Sequence, residues 1–238
     1  MLVKVRYEGS LSDLAERLPA FNCLHDALIT QADWRCWQRK EGQSSSHDLQ
    51  VVFLGKSGYG KSSIVNALAG HEVMETSDVQ ACTRQAQSAE FIIRPGNFLS
   101  FADLPGIGES QQRDTEYLRL YEQILLKADV VVYMVRADCR DYAIDEVAFT
   151  RLFPSSTARR KVILVVNGSD KIEPIQRHNS GVPSTEQLLN LNRKIESLRQ
   201  IFPGVQRIVA CSATTGWNIG VLSSEIVGLL AQSEGVRL

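Results

Sequence analysis

Gly55, Gly58 and Gly60 fall within six positions, and Lys61 and Ser62 follow at once, in the stretch Gly55-Lys56-Ser57-Gly58-Tyr59-Gly60-Lys61-Ser62. Glycine is poor strand and poor helix material, so three of them together need a reason. The residues before them, QVVFL at 50–54, read as a buried strand, and those after, 61–70, as an amphipathic helix. Between a strand and a helix, glycines let successive backbone N–H groups turn inward as an anion nest, and the helix N-terminus adds a favourable dipole. Lys61 supplies a cation for the β- and γ-phosphates of a nucleoside triphosphate, and the Ser62 hydroxyl suits Mg²⁺. Gly55, Ser57, Gly58, Tyr59 and Gly60 complete the cradle. The same glycines would also serve a plain strand–helix turn that holds nothing. The Lys61–Ser62 pair in this context favours phosphate.

Three further stretches carry chemistry. In FADLPGIGES, Asp103 ends a strand and Gly106 follows three residues later. A carboxylate there holds Mg²⁺ through its water shell, and Gly106 offers an N–H to a γ-phosphate with no side chain in the way. In ILVVNGSDKIEP, Asn167 and Asp170 follow a buried-type strand. An Asp carboxylate accepts two hydrogen bonds from guanine N1–H and its amino group. Adenine would leave it unpaired. Asn-Gly and Ser-Asp are also plain turn formers, which keeps an ATPase open as an alternative. In IVACSATTGWNIG, Ser212 and Ala213 bring backbone N–H groups to where a base O6 would lie, a weak signal by itself.

These loops need strands and helices to aim them. Strand candidates are 50–54, 90–94, 98–103, 129–135, 161–166 and 206–210; helix candidates are 61–70, 112–127, 142–153, 184–201 and 218–231. Continuous Val/Ile/Leu runs separated by helices mean a parallel sheet covered on both faces. The link PGN between 90–94 and 98–103 is too short for a crossover, so that pair is an antiparallel hairpin. The expected fold is α/β, a mainly parallel six-stranded sheet with one antiparallel strand and helices on both faces. Ligands in such sheets bind at the carboxyl ends of the strands.

Residues 1–48 read as an N-terminal helical appendage and linker, and 49–238 as the phosphate-binding domain. Leu11, Leu14 and Leu18, then Phe21, Leu24 and Leu28, fall at helical spacing, with Trp34 and Trp37 following; this short helical pair reads first as packing on the main domain, and in a second reading as a docking or self-association element. The formal net charge of −1 gives no basic excess for nucleic acid. The apolar runs are too short to span a bilayer. Five scattered cysteines without a C-x-x-C pair argue for reduced thiols, hence a cytoplasmic protein. The four histidines are too dispersed for a metal site. The basic run TARRK, 157–161, reads as a solvated surface.

Taken together and in this order, the four loops over residues 49–232 resemble the TRAFAC-class P-loop GTPases, in particular the Era/Der-like group with its prophage-type bacterial members. GKSGYGKSSIVNALAG and DLPGIG are also similar to immunity-related GTPases. The resemblance implies a Mg²⁺-dependent GTPase cycling between GTP and GDP as a molecular switch. In that scheme Gly58, Gly60, Lys61, Ser62, Ser63, Gly106 and Asp103 serve the phosphates and metal, and Asn167, Asp170, Ser212 and Ala213 form the guanine pocket. A threonine closing over Mg²⁺ falls to Thr83, with Thr76 as runner-up. Homodimerisation across the nucleotide face is also implied by related families. Three positions depart from the pattern. Gly168 stands where N-K-x-D has lysine, with Lys171 nearby; Ile107 stands where Ras-like enzymes orient water with glutamine; and Gly58 replaces an asparagine that holds K⁺ in some relatives. Slow intrinsic hydrolysis is expected. A nucleotide-gated interaction module with negligible turnover is the alternative.

Overall fold

The computed structural model describes residues 4–30, 49–76, 86–94, 97–108, 111–175 and 181–234. The strand β2 (Leu49–Gly55) runs through the middle of a seven-stranded sheet of order β1-β3-β4-β2-β5-β6-β7. Its neighbours β4 (Asn97–Asp103) and β5 (Val130–Arg136) pair with it in parallel, in a register that aligns Val51 with Phe101 and Val130. The strands β6 (Val162–Asn167) and β7 (Arg207–Cys211) continue the parallel set. Every residue of β6 is buried, as an apolar run covered on both faces requires. From β2 the sheet is extended to opposite sides by β4 and β5, so a topological switch point lies at its carboxyl end.

Alternation along the strands sorts the core into two layers. On one face, Phe53 and Phe101 meet at 5.7 Å, and Phe21 reaches Phe101 at 6.1 Å. This face carries α1 (Leu11–Arg17), α2 (Pro19–Thr30), α3 (Lys61–Ala69) and α8 (Ile219–Glu234). On the other, Tyr133 packs edge-on against Phe149 at 5.5 Å and near Phe202 at 5.7 Å. Those two rings belong to α5 (Ala143–Leu152) and the C-cap of α7 (Thr185–Ile201); α4 (Gln111–Leu125) packs beside α5. The short α6 (Ser156–Arg160) is capped by Ser155, whose hydroxyl accepts from Ala158 N at 3.1 Å.

The sheet departs from expectation in its strand count and directions. A seventh strand, β1 (Lys4–Ser10), lies at the edge, parallel to β3 (Gln87–Arg94), while β3 is antiparallel to β4. Two strands therefore run against the other five, where the sequence predicts one of six. The physical reason is the edge position. Lys4-Val5-Arg6-Tyr7-Glu8 mixes charge with apolar residues because every residue of the strand is exposed or only partly buried, and it lacks the unbroken apolar run that marks an interior strand.

After β1, Ser10 caps α1 in a capping box with Asp13, and Leu18 takes an extended conformation because the following Pro19 disfavours the helical one. The apolar stripe at Leu11, Leu14, Leu18, Phe21 and Leu24 joins the same hydrophobic cluster as the sheet. Trp34, Trp37, the linker 40–48 and Thr83 lie outside the described residues.

β1 also touches both ends of the segment that contains Thr83. Lys4 N donates to Ala86 O at 3.0 Å, Arg6 pairs with Glu75, and the Tyr7 ring meets His71 at 5.0 Å. In the basic run, Arg159 donates to Phe153 O and Pro203 O, each at 2.8 Å. Lys161 donates to Leu125 O and Ala128 O, at 2.6 and 2.9 Å. Burial pushes the Lys161 ammonium below its usual pKa. These two residues tie down backbone carbonyls, where the sequence reads a solvated patch.

Candidate nucleotide-binding site

All four motif loops leave the carboxyl ends of parallel strands: Gly55 ends β2, Asp103 ends β4, Asn167 ends β6 and Cys211 ends β7. The parallel sheet therefore gathers them along one edge. The phosphate loop turns through left-handed residues at Gly58 and Gly60. Gly60 has a second constraint, since a Cβ there would stand 2.4 Å from Asn167 Nδ2. From Gly60 the chain enters α3 with Lys61 at its first position. The Lys61 ammonium arches back to donate to Gly55 O at 3.3 Å and Lys56 O at 3.2 Å. Ser63 sits half-exposed in the same turn.

Ser62 Oγ donates to Asp103 Oδ2 at 2.5 Å. A hydroxyl and a carboxylate side by side are hard oxygen donors of the kind Mg²⁺ takes, and that ion typically uses one or two carboxylates with waters and substrate phosphates. The donor set fits Mg²⁺ on those grounds.

The loop after Asp103 lies directly on the phosphate loop. Ile107 N donates to Gly55 O at 3.2 Å, Ser57 N donates to Ile107 O at 3.4 Å, and Lys56 forms a parallel bridge with Ile107. This contact gives Gly106 its own reason to lack a side chain, because a Cβ would stand 2.4 Å from Ser57 N. The Tyr121 hydroxyl of α4 donates to Pro105 O at 2.5 Å and pins the loop from below. Ile107 is buried, 5% exposed. Thr76, the runner-up for the closing threonine, is exposed.

Asn167 is the junction of the site. Its Nδ2 donates to Tyr59 O at 3.0 Å, and its Oδ1 accepts from Ala213 N at 3.1 Å. Its backbone O accepts from Ala137 N at 2.8 Å. Asp170, half-buried, accepts a 2.6 Å hydrogen bond from Ser212 Oγ on Oδ1, and Oδ2 has no hydrogen-bond partner among the described residues. Ser169 Oγ donates to Cys211 O at 2.7 Å, locking the loops after β6 and β7 together. Burial pushes the Cys211 thiol up to about 12, which leaves it inert as a nucleophile. Gly168 adopts a left-handed conformation, and Lys171 Cδ lies 3.7 Å from where its Cβ would be.

Sequence reasoning missed three side chains around this site: Tyr121, Asp145 and the role of Lys56. Lys56 Nζ lies 3.1 Å from Asp145 Oδ2, and the Tyr59 hydroxyl donates to the same oxygen at 3.1 Å. Burial raises the Asp145 carboxyl above its usual pKa, against the opposing pull of Lys56. Burial beside Asp145 likewise drives the Tyr59 phenol far up. Only the unusual lysine and tyrosine within a glycine loop hinted at anchoring.

A strand–loop–helix cradle at a switch point, with a hydroxyl and carboxylate at its mouth and an acid two strands away, defines a P-loop nucleotide-binding fold of the GTPase class. Residues 50–168 match the family described as 50S ribosome-binding GTPase, and the chain belongs to that family, in its Era-like branch of the TRAFAC class. The uncharacterised protein YfjP of Escherichia coli (strain K12) is 38% identical over 189 residues, covering 79% of this chain and 64% of that protein. A crystal structure of Era with MgGDPNP and a 16S ribosomal RNA segment superposes with a TM-score of 0.61 at 26% identity, over 76% of this chain and 56% of that one. At 19% identity, a structure solved for the chloroplast translocon components atToc33 and psToc159, for whose GTPase activity dimerization is important, superposes with a TM-score of 0.66 over 97% and 96%. The chain thus spans less than two thirds of YfjP and of that Era chain.

Proposed function

We propose that the chain is a Mg²⁺-dependent switch that binds GTP and hydrolyses it slowly to GDP and phosphate. The single observation that carries this reading is the convergence of four separate loops on Asn167 and on the Ser62–Asp103 pair. In this scheme the phosphate-loop amides and Lys61 hold the β- and γ-phosphates. Ser62 and Asp103, with Thr83, hold Mg²⁺, which neutralises charge on the phosphates. The Gly106 amide meets the γ-phosphate. Asp170 selects guanine, braced by Ser212, while Asn167 and Ala213 frame the pocket.

Slow turnover follows from Ile107. Its apolar side chain cannot orient water, and its main chain is tied to the phosphate loop. The same residue favours a second reading, a nucleotide-gated interaction module with negligible turnover, in which residues 1–40 recruit a protein partner. In both readings residues 49–238 are the nucleotide-binding unit, residues 1–48 its N-terminal extension, and the cytoplasm its site of action. Homodimerisation across the nucleotide face is part of the proposal.

Equilibrium binding of labelled GTP, GDP and ATP, with and without Mg²⁺, tests the reading. Guanine nucleotides should bind far more tightly than ATP, and Mg²⁺ should strengthen GTP binding. Equal affinity for ATP and GTP would remove the guanine assignment.

A further inference from the structure

Glycine-rich loops lose more conformational freedom on ordering than any other backbone, so something must hold this one in shape. Two of its large side chains, Lys56 and Tyr59, converge on one buried acid. The Asp145 carboxylate is fully buried, and Oδ2 takes both the Lys56 ammonium and the Tyr59 hydroxyl at 3.1 Å. We propose that Asp145 is a positioning residue for the phosphate loop: through Lys56 and Tyr59 it holds the loop backbone in its anion-binding shape before a nucleotide arrives.

The anchor is itself fixed. Asp145 lies in the first turn of α5, where the helix dipole favours an acid, and its backbone carbonyl accepts from the Tyr133 hydroxyl of β5 at 3.2 Å. The loop between β5 and α5 completes the grip. The Asp141 carbonyl accepts from Lys56 Nζ at 3.3 Å, and Cys139 Sγ lies 3.4 Å from the Tyr59 hydroxyl. Lys56 then passes the constraint on, because its own backbone bridges to Ile107 in the loop after Asp103. One side chain from α5 thereby steadies both loops that face the phosphates. Asp145 Oδ1, also buried, has no hydrogen-bond partner among the described residues. A packing role alone would be met at least as well by an apolar side chain, since a buried ion pair is weak evidence of stabilisation.

This inference rests on the nucleotide-binding reading and adds a residue to it. GDP affinity and melting temperature are measured for wild type, Lys56→Met, Asp145→Asn and the double variant. Each single variant should bind GDP about tenfold more weakly and melt lower, since it strands a half of the pair. The double variant has no stranded charge. It should regain melting temperature yet stay about tenfold weak, because the tether is still gone and the two losses do not multiply. Should a single variant fail to fold, Tyr59→Phe tests the same grip, with an expected loss of about threefold from one hydrogen bond. GDP affinity that returns together with melting temperature overturns the proposal, as do single variants, or Tyr59→Phe where it stands in for them, that bind as tightly as wild type. A wild type that binds no GDP overturns the functional reading and the tether with it; a binding wild type with unaffected variants overturns the tether alone.

Discussion

At the scale of single residues, the proposed site would work by pairing charges with backbone dipoles. Lys61 points its ammonium at the carbonyls of Gly55 and Lys56, within the loop on which phosphates would sit. Lys61→Ala should abolish measurable GDP binding in equilibrium titration. Asp170 presents one oxygen already bonded by Ser212. Asp170→Asn exchanges an acceptor for a donor, so selectivity should move from guanine toward xanthine nucleotides by at least tenfold in competition binding. Asp145 carries a pH signature. Its folded-state pKa is raised above the ordinary 3.8, so the native state holds the proton more tightly than the unfolded chain. That contribution is fully present below the ordinary value and is lost as pH rises through the folded one. Wild-type melting temperature, taken relative to Asp145→Asn, should therefore decline as pH is raised from about 4.

At the scale of elements, caps and ties decide where the loops end up. Ser184 and Gln187 form a reciprocal capping box at the start of α7, and the buried Gln187 amide also donates to Ile172 O at 3.1 Å, just past Asp170. Removing the Ser184 hydroxyl by Ser184→Ala should cost about 1 kcal/mol. In a chain of this size that lowers the melting temperature by about 2–4 °C, readable by calorimetry. The interior elements were legible in the sequence because burial on both faces leaves an unbroken apolar run, as in VILVVN of β6. β1 was not, because an edge strand half-open to water carries no such run. The tie between Tyr59 and Asp145 was equally hidden, for its partners lie 86 positions apart and nothing local in either segment announces the other. The motif loops themselves were legible because their chemistry is local. Glycine, lysine and hydroxyl must sit within a few residues of one another to wrap one group of phosphates.

At the scale of the whole molecule, the five parallel strands set the nucleotide site along one edge, while β1 and α1–α2 share the core beneath it and touch the segments flanking residues 77–85. If hydrolysis is completed across a dimer, the specific GTPase rate should rise with protein concentration. If a monomer acts alone, it should stay flat. Added K⁺ should change neither outcome, since Gly58 offers no side chain to hold that ion. Asn167 has a larger consequence. One amide group braces the phosphate loop with its nitrogen and the Ser212–Ala213 loop with its oxygen, so in the proposed complex the two ends of the nucleotide would be gripped through shared hardware. Selection for a different purine has no freedom to work there without loosening the hold on the tail. Under that proposal a change of base preference should run through Asp170 and Ser212, with position 167 left as the fixed hinge pin around which they change.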